Sequence, residues 1–279
     1  MKVTGIKTHR ITVQDNLFAI LDQYLPKLEE KSVVCITSKI VSICEKRIIP
    51  TYCHCEEEAK RPTKQSASKE IPSSRRARGR NDNCEIDHKD DLIKQEAQFY
   101  LPRSLNKYNV SLTITKNVLA ASAGIDESNG NGYYILWPKD VQKSANMIRS
   151  FLQKKLGLSH IGVVITDSKT TPLRWGVTGF SLAHSGFAAV NTYIGKKDLF
   201  GRAFEYEKVH IADSMSASAV SVMGEGAEQT PLAIIEEVPF VTFQNRNPLQ
   251  KELDEIKIAK EDDIYAPLLV NVNWKRGKG

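Results

Sequence analysis

Apolar residues recur along this chain at two periods, and the switches between them outline most of its elements. In NLFAILDQYL (16–25), Leu17, Ile20, Leu21 and Leu25 fall on one helical face, closed by Pro26 and the charged KLEEK. SVVCITSKIVSI (32–43) reads as a strand with a polar interruption at Thr37, Ser38 and Lys39. In SLTITKNVLAASAG (111–124), Leu112 and Ile114 alternate with Ser111, Thr113 and Thr115, the pattern of a half-buried strand. VQKSANMIRSFLQKKLG (141–157) returns to helical spacing through Val141, Ala145, Ile148, Phe151, Leu152 and Leu156, and stops at Gly157. HIGVVITDS (160–168) is the continuous apolar run of a buried strand, ending in a carboxylate and hydroxyls.

Beyond it, WGVTGFSLAHSGFAAVNTYIG (175–195) predicts strands and turns around a crowded centre. DSMSASAVSVMGEG (213–226) predicts a helix capped by Asp213 that runs into a glycine-rich turn, and TPLAIIEEVPFVTF supplies a further strand. One stretch fits neither period. Residues 51–91, containing CHCEEEAKRPTKQSASKEIPSSRRARGRNDNCEIDHKDD, are charged and offer almost no apolar face, which predicts an exposed, largely disordered insertion. Order resumes with a short helix in DLIKQEAQFYLP. Residues 244–279 predict a helix, KELDEIKIAKEDD, followed by a frayed tail. The domain reading is therefore 1–50 with 92–243, an insertion at 51–91, and a C-terminal helix and tail at 244–279.

Composition narrows the class. The 279 residues, 41% of them hydrophobic, suffice for a real core. The net charge of +6 is mild and partly local, in RRARGR (75–80) and the final WKRGKG, so nucleic acid is not an expected partner. No apolar run approaches the roughly 20 residues of a membrane span, and MKVTGIKTHR lacks a signal-peptide core, which points to the cytoplasm. Of the five cysteines, Cys35 and Cys44 lie in apolar segments. Cys53, His54, Cys55, Cys84 and His88 include zinc-ligand types, but their spacing matches no common finger.

Candidate chemistry gathers where apolar runs end. AGIDESN (123–129) brings Asp126 together with Ser128 and Asn129, and ITDS brings Asp167 together with Ser168. Hard divalent cations take oxygen ligands, and Mg²⁺ is commonly held by one or two carboxylates plus substrate phosphates. The alternative for each aspartate is an ordinary turn residue. In MGEGAEQT (223–230), Gly224 and Gly226 free backbone N–H groups to face phosphate oxygens and Glu225 can reach a metal; the alternative is a helix-ending glycine with a surface glutamate. Lys39 needs an anionic partner or a route to the surface. Arg174, beside Trp175, can clamp an anionic group, and Arg202 adds a second guanidinium. His184 is either a base or a core histidine. No Walker A loop and no G-x-S-x-G elbow occurs.

In their order, VVCITSKIVSICEKR, AGIDESN, GVVITDS, WGVTGFSLAHSG, IGKKDLFGR and VMGEGAEQTP resemble the coenzyme F420-0:L-glutamate ligase family, over roughly residues 1 to 50 and 95 to 240. The resemblance implies an α+β fold of mixed, largely antiparallel sheets with flanking helices, in an intertwined homodimer. It implies a γ-glutamyl ligase using GTP or ATP and two divalent cations, Mg²⁺ or Mn²⁺. The acceptor carboxylate would attack the γ-phosphate to give an acyl phosphate, which the amine of L-glutamate displaces. Carried over by motif, Asp126 and Asp167 are metal ligands, and Ser168 and Glu225 hold the second metal. Ser38, Lys39, Asn129, Met223, Gly224, Gly226 and Thr230 line the nucleotide, with Thr8 to Ile11 near it. Asp126, Asp167 and Arg174 are the residues expected to carry catalysis.

Three positions depart from the family pattern: Ile43 stands where a lysine is usual, Ser168 stands for a threonine, and TTPLRW replaces a G-R-P-like segment. LWPKD together with ITDSKTTPLRWGVTG resembles a branch associated with folate metabolism, which makes a folate the expected acceptor and the deazaflavin F420-0 the alternative. A reading from another class is a nucleotide- and metal-binding regulator without turnover.

Overall fold

The computed structural model describes residues 1–51 and 82–279, so RRARGR, Cys53, His54, Cys55 and most of the expected insertion lie outside the described residues. In chain order come β1 (Lys2–Ile6), α1 (Leu17–Tyr24), β2 (Val33–Thr37), α2 (Ser38–Cys44), β3 (Ile48–Pro50), α3 (Asp82–Glu96) and β4 (Phe99–Tyr100). The middle holds β5 (Leu112–Thr115), β6 (Val118–Ala121), β7 (Tyr133–Ile135), α4 (Val141–Leu156), β8 (Gly162–Thr170) and β9 (Val177–Ser185). The chain ends with β10 (Val190–Thr192), β11 (Lys208–His210), α5 (Ile211–Met223), β12 (Leu232–Glu236), α6 (Gln250–Asp254), α7 (Ala266–Leu269) and β13 (Lys275–Arg276).

A five-stranded sheet in the order β1-β12-β2-β8-β9 forms the centre, with β2 and β8 parallel and every other neighbouring pair antiparallel. Period-two alternation splits its side chains between two cores. Val34, Ile36, Val163 and Ile165 pack under α1, α2 and α4, whereas Val33, Cys35, Val164 and Ile235 pack against α5. Smaller sheets, β13-β4-β5-β6, β10-β11 and β3-β7, surround it. This is the expected α+β class. Among the described residues no helix is long and apolar enough to cross a membrane.

Two helices keep their sequence signatures. The side chain of Asn16 caps α1 by accepting from Phe18 N and Ala19 N, and Gly157 ends α4 at φ +69°. Other segments differ from expectation. SVVCITSKIVSI is not one strand, because Ser38 and Lys39 open α2. The 111–124 segment is a hairpin, turned at Lys116 and Asn117 with both φ positive, and its buried face carries Thr113 and Thr115 while Leu112 is exposed. The threonines can be buried because Thr113 Oγ1 donates to Ala120 O and accepts from Ala123 N.

The cap of α5 is His210, whose Nδ1 accepts from Asp213 N; Asp213 instead accepts from Ser181 N. Helix α3 begins at Asp82 and so takes in the last ten residues of the expected insertion. Its Leu92 and Ile93 bury against Ile125, Tyr134 and Leu136. The C-terminal helix stops at Asp254, since the charged run after it offers no apolar stripe to bury. The tail is not frayed: β13 pairs with β4, and Gly277 N donates to Gln98 O.

Candidate functional site

The site grows from the parallel pair at the sheet's centre. Thr37 is in register with Thr166, so the end of β2 lies beside the middle of β8; there Ser38–Lys39 turn into α2, while Asp167–Ser168 continue β8 beyond the end of β2, paired with β9. Crevices at such strand ends are where parallel sheets place ligands. A bulge helps to aim them: Ile165 pairs with Ala183 and Thr166 with Ser181, leaving Leu182 as the extra residue on β9 at the step between Ile165 and Thr166, one residue ahead of Asp167.

The AGIDESN turn approaches from the side. Ser122, Ala123 and Gly124 all take positive φ, and Asp126 then forms a two-way backbone bridge with Ile135. Asp126 Oδ1 accepts from Ser128 N and Oγ, both at 2.8 Å, while Lys39 Nζ sits 2.6 Å from Oδ2. Burial raises the Asp126 pKa, but the Lys39 ammonium and the Ser128 donors outweigh it and hold the carboxyl below its ordinary range.

Asp167 differs. Burial pushes its pKa up to about 6, with the negative charge of Asp126 adding to the rise. Two donors oppose it: Trp137 Nε1–H to Oδ2, and Ser168 N–H to Oδ1 at 2.8 Å. The third wall is the loop after α5. Gly224 turns the chain at φ +77°, Ser168 Oγ hydrogen-bonds Glu225 Oε1, and Asn129 Nδ2 donates to Gly226 O at 3.0 Å. Thr8 N donates to Gln229 O, which brings the Thr8–Ile11 segment to the same rim.

These segments enclose a cavity of about 570 Å³. Lining it are Ser38, Lys39, Asp126, Asn129, Asp167, Ser168, Met223, Gly224, Glu225, Gly226 and Thr230, so every residue given a role by the family resemblance but one converges there. Arg174 is the exception. It lies exposed in the hairpin between β8 and β9 and is not among the lining residues, and Arg202 is likewise exposed. Hairpin tips are set by strand length, which the Arg-Trp pair could not reveal. Ile43 lines the cavity as an apolar wall. His184 is buried with neither ring nitrogen hydrogen-bonded among the described residues, and burial pushes its pKa down to about 4, the state of a core histidine.

Two residues escaped the sequence reading. Trp137 entered only as part of the LWPKD variant, and only its contact with Asp167 gives it a role at the site. Glu228 stood in the MGEGAEQT turn with no role of its own, yet its Oε2 accepts from Gly226 N at 2.8 Å, the N–H expected to face phosphate oxygens. A polar residue two positions past a flexible glycine was the available signal for it.

The donors fit a hard cation in a particular way. Carboxylates, a serine hydroxyl and an ammonium-neutralised aspartate are the hard oxygen donors that Mg²⁺ or Mn²⁺ takes, and the imidazole of His9, which also lines the cavity, has its two ring nitrogens engaged by Tyr24 and Asp15. Among the described residues no three His, Cys, Asp or Glu side chains converge into a cage. A cation bound here would share its coordination with substrate oxygens, the usual arrangement for Mg²⁺.

Comparison with known proteins bears on the chain as a whole. The family model described as F420-0:Gamma-glutamyl ligase matches residues 5–237. A coenzyme F420:L-glutamate ligase from Methanococcus maripaludis strain S2 is 31% identical over 273 residues, covering 95% of this chain and 97% of the relative. The protein of that name from strain C6 is 27% identical over 271 residues, with the same two coverages. The one from Methanocaldococcus jannaschii is 36% identical over 160 residues, 56% of this chain and 61% of its own.

Proposed function

The chain belongs to the F420-0:gamma-glutamyl ligase family, and from that premise we propose that it joins L-glutamate through an amide bond to the carboxylate of a deazaflavin coenzyme acceptor, with GTP or ATP and Mg²⁺ or Mn²⁺. The family is one of C–N bond-forming enzymes. The names of the relatives carry the F420 acceptor, and we therefore take it over the folate expected from the LWPKD variant. The observation that carries the reading is the convergence of Lys39, Asp126, Asp167, Ser168 and Glu225 on one cavity from four separate segments.

In the proposed reaction the acceptor carboxylate oxygen attacks the γ-phosphorus and the bond to the β-phosphate oxygen breaks. The resulting acyl phosphate is attacked at carbon by the glutamate amine, which loses a proton as inorganic phosphate leaves. Divalent cations, when bound, would supply positive charge that offsets the repulsion between the phosphates and an incoming carboxylate. Asp126 and Asp167 would hold them, with Ser168 and Glu225 on the side of the 223–230 loop. Lys39, already paired with Asp126, supplies positive charge at the same edge. Ser38, Asn129 and the loop from Met223 to Thr230 shape the nucleotide side. No side-chain nucleophile is needed.

A homodimer is part of the proposal. Leu173 and Trp175 on one hairpin tip, and Leu199 and Phe200 on another, are almost fully exposed, and apolar tips of this kind support contact with a second copy. Arg174 would then act at that contact.

The test is mass spectrometry of reactions holding the chain, L-glutamate, Mg²⁺ or Mn²⁺ and either nucleotide, with a deazaflavin lactyl-phosphate acceptor in one arm and dihydropteroate or dihydrofolate in the other. A glutamate adduct on the deazaflavin acceptor is expected. An adduct confined to the folate arm would overturn the acceptor, and nucleotide hydrolysis indifferent to glutamate and acceptor would overturn the reaction.

A further inference from the structure

Trp137 is only 4% exposed, in a wall that touches both carboxylate-bearing segments of the site. Its Nε1–H donates to Asp167 Oδ2. The same indole lies close against the turn leading into Asp126: a Cβ built on Gly124 would fall 2.0 Å from Trp137 Cε2 and 2.4 Å from Nε1. With φ at +72° as well, position 124 accepts glycine alone, so the turn is shaped around the indole.

The ring has little freedom to move. Phe180 lies 6.1 Å from it between centroids, Arg47 Nε donates to Trp137 O at 3.1 Å, and Leu136 N donates to Arg47 O at 3.0 Å. Asp167 therefore receives one N–H on each oxygen, from Trp137 on Oδ2 and from its neighbour Ser168 on Oδ1. Two such donors fix the plane of the carboxylate and leave further lone pairs for another partner. Loss of a donor that orients a ligand without touching the metal commonly costs about 10- to 100-fold in metal affinity.

We propose that Trp137 is a positioning residue, a rigid indole that holds the Asp167 carboxylate in plane and sets its spacing from the Asp126 turn for a divalent cation. This rests on the reading of Asp167 as a metal ligand given above. Sequence-nominated residues supply the charges; Trp137 supplies their geometry.

The experiment is a titration of Mn²⁺ into the full chain, alone and with a non-hydrolysable GTP or ATP analogue that supplies phosphate oxygens, with protein-bound Mn²⁺ read by electron paramagnetic resonance and folding followed by thermal denaturation. The variants are Trp137→Phe, Trp137 replaced by benzothienylalanine, and Asp167→Asn. Benzothienylalanine keeps the bicyclic shape and removes only the N–H, so it carries the test if the smaller phenylalanine perturbs folding. Both Trp137 variants should weaken Mn²⁺ binding about 10- to 100-fold, with the melting temperature of the benzothienylalanine protein unchanged. Mn²⁺ affinity within twofold of the parent in that protein, alongside a large loss in Asp167→Asn, would overturn the positioning role and leave the metal site standing. A parent that binds no Mn²⁺ with or without the nucleotide analogue, or an Asp167→Asn variant that binds it like the parent, would overturn the metal reading and this proposal together.

Discussion

Asp167 and His184 lie on adjacent strands of one sheet, and burial drives both toward the neutral form, Asp167 up to about 6 and His184 down to about 4. Their surroundings part them. Asp167 lines a cavity, takes two N–H donors and lies within the electrostatic reach of Lys39 and Asp126. His184 is sealed in, stacked edge-on to Phe187, near the buried guanidinium of Arg149, which reaches Ser185 and Asn247 and leaves Nη1 without a hydrogen bond among the described residues. A perturbed group marks a reactive site only where a ligand can reach it, and elsewhere it is a stability term.

The sharpest way to break that comparison is to neutralise the cavity side. Asp167→Asn or Asp126→Asn should lower kcat/KM by about 10³-fold or more while the melting temperature stays nearly constant. Unchanged turnover in both variants would mean that the cavity is not where the chemistry occurs. The sealed side should behave in the opposite sense. Arg149→Ala should cost about 2–4 kcal/mol of stability through lost packing and stranded partners, with turnover per folded molecule intact; denaturant titration beside steady-state kinetics checks it.

Acid should then act on His184 through stability. Its folded pKa lies below the ordinary 6.5, so the unfolded chain takes up the proton first. The stabilisation is fully present above pH 6.5 and is lost as pH falls toward about 4, on the order of 3 kcal/mol in all. A His184→Gln variant should flatten that part of the profile. A wild-type curve already flat from pH 6.5 to 4 would rule out the sealed-core account.

The smallest effect belongs to Glu252 on the surface. Its hydrogen bonds with Arg246, and then with Leu249 N and Gln244, hold its pKa down at about 2. Glu252→Gln should nonetheless cost no more than about 1 kcal/mol at neutral pH, because solvent screens the pair. The contribution is present above the ordinary 4.5 and fades as pH falls toward about 2. A loss as large as that for Arg149→Ala would show that the 246–252 segment is more than surface.

Sequence reading succeeded where one local rule governed the outcome. The Asn16 cap, the Gly157 stop and the apolar run of β8 follow from neighbours a few residues apart. It erred where polar residues served long-range contacts. Thr113 and Thr115 looked like a solvent face because hydroxyls favour water, yet Thr113 is satisfied by the turn that carries Asp126. Lys39 looked like an interruption in a strand, because nothing local shows that the chain turns into α2 at Ser38. Lys275 and Arg276 looked like tail, and only pairing with β4 gives them an extended form.

The sequence by itself therefore determined the inventory of the site: which carboxylates, hydroxyls, glycines and lysine are available, and which apolar strands carry two of them. Side-chain chemistry and short-range periodicity are written in the order of residues. What the tertiary structure alone decided is which of them meet. It brought Asp126 to Lys39 from a distant part of the chain, left Arg174 outside on a hairpin tip, and set an indole between the two aspartate segments. Those outcomes depend on strand register, a one-residue bulge and the close approach of a backbone to a ring, and each arises only when distant segments pack together.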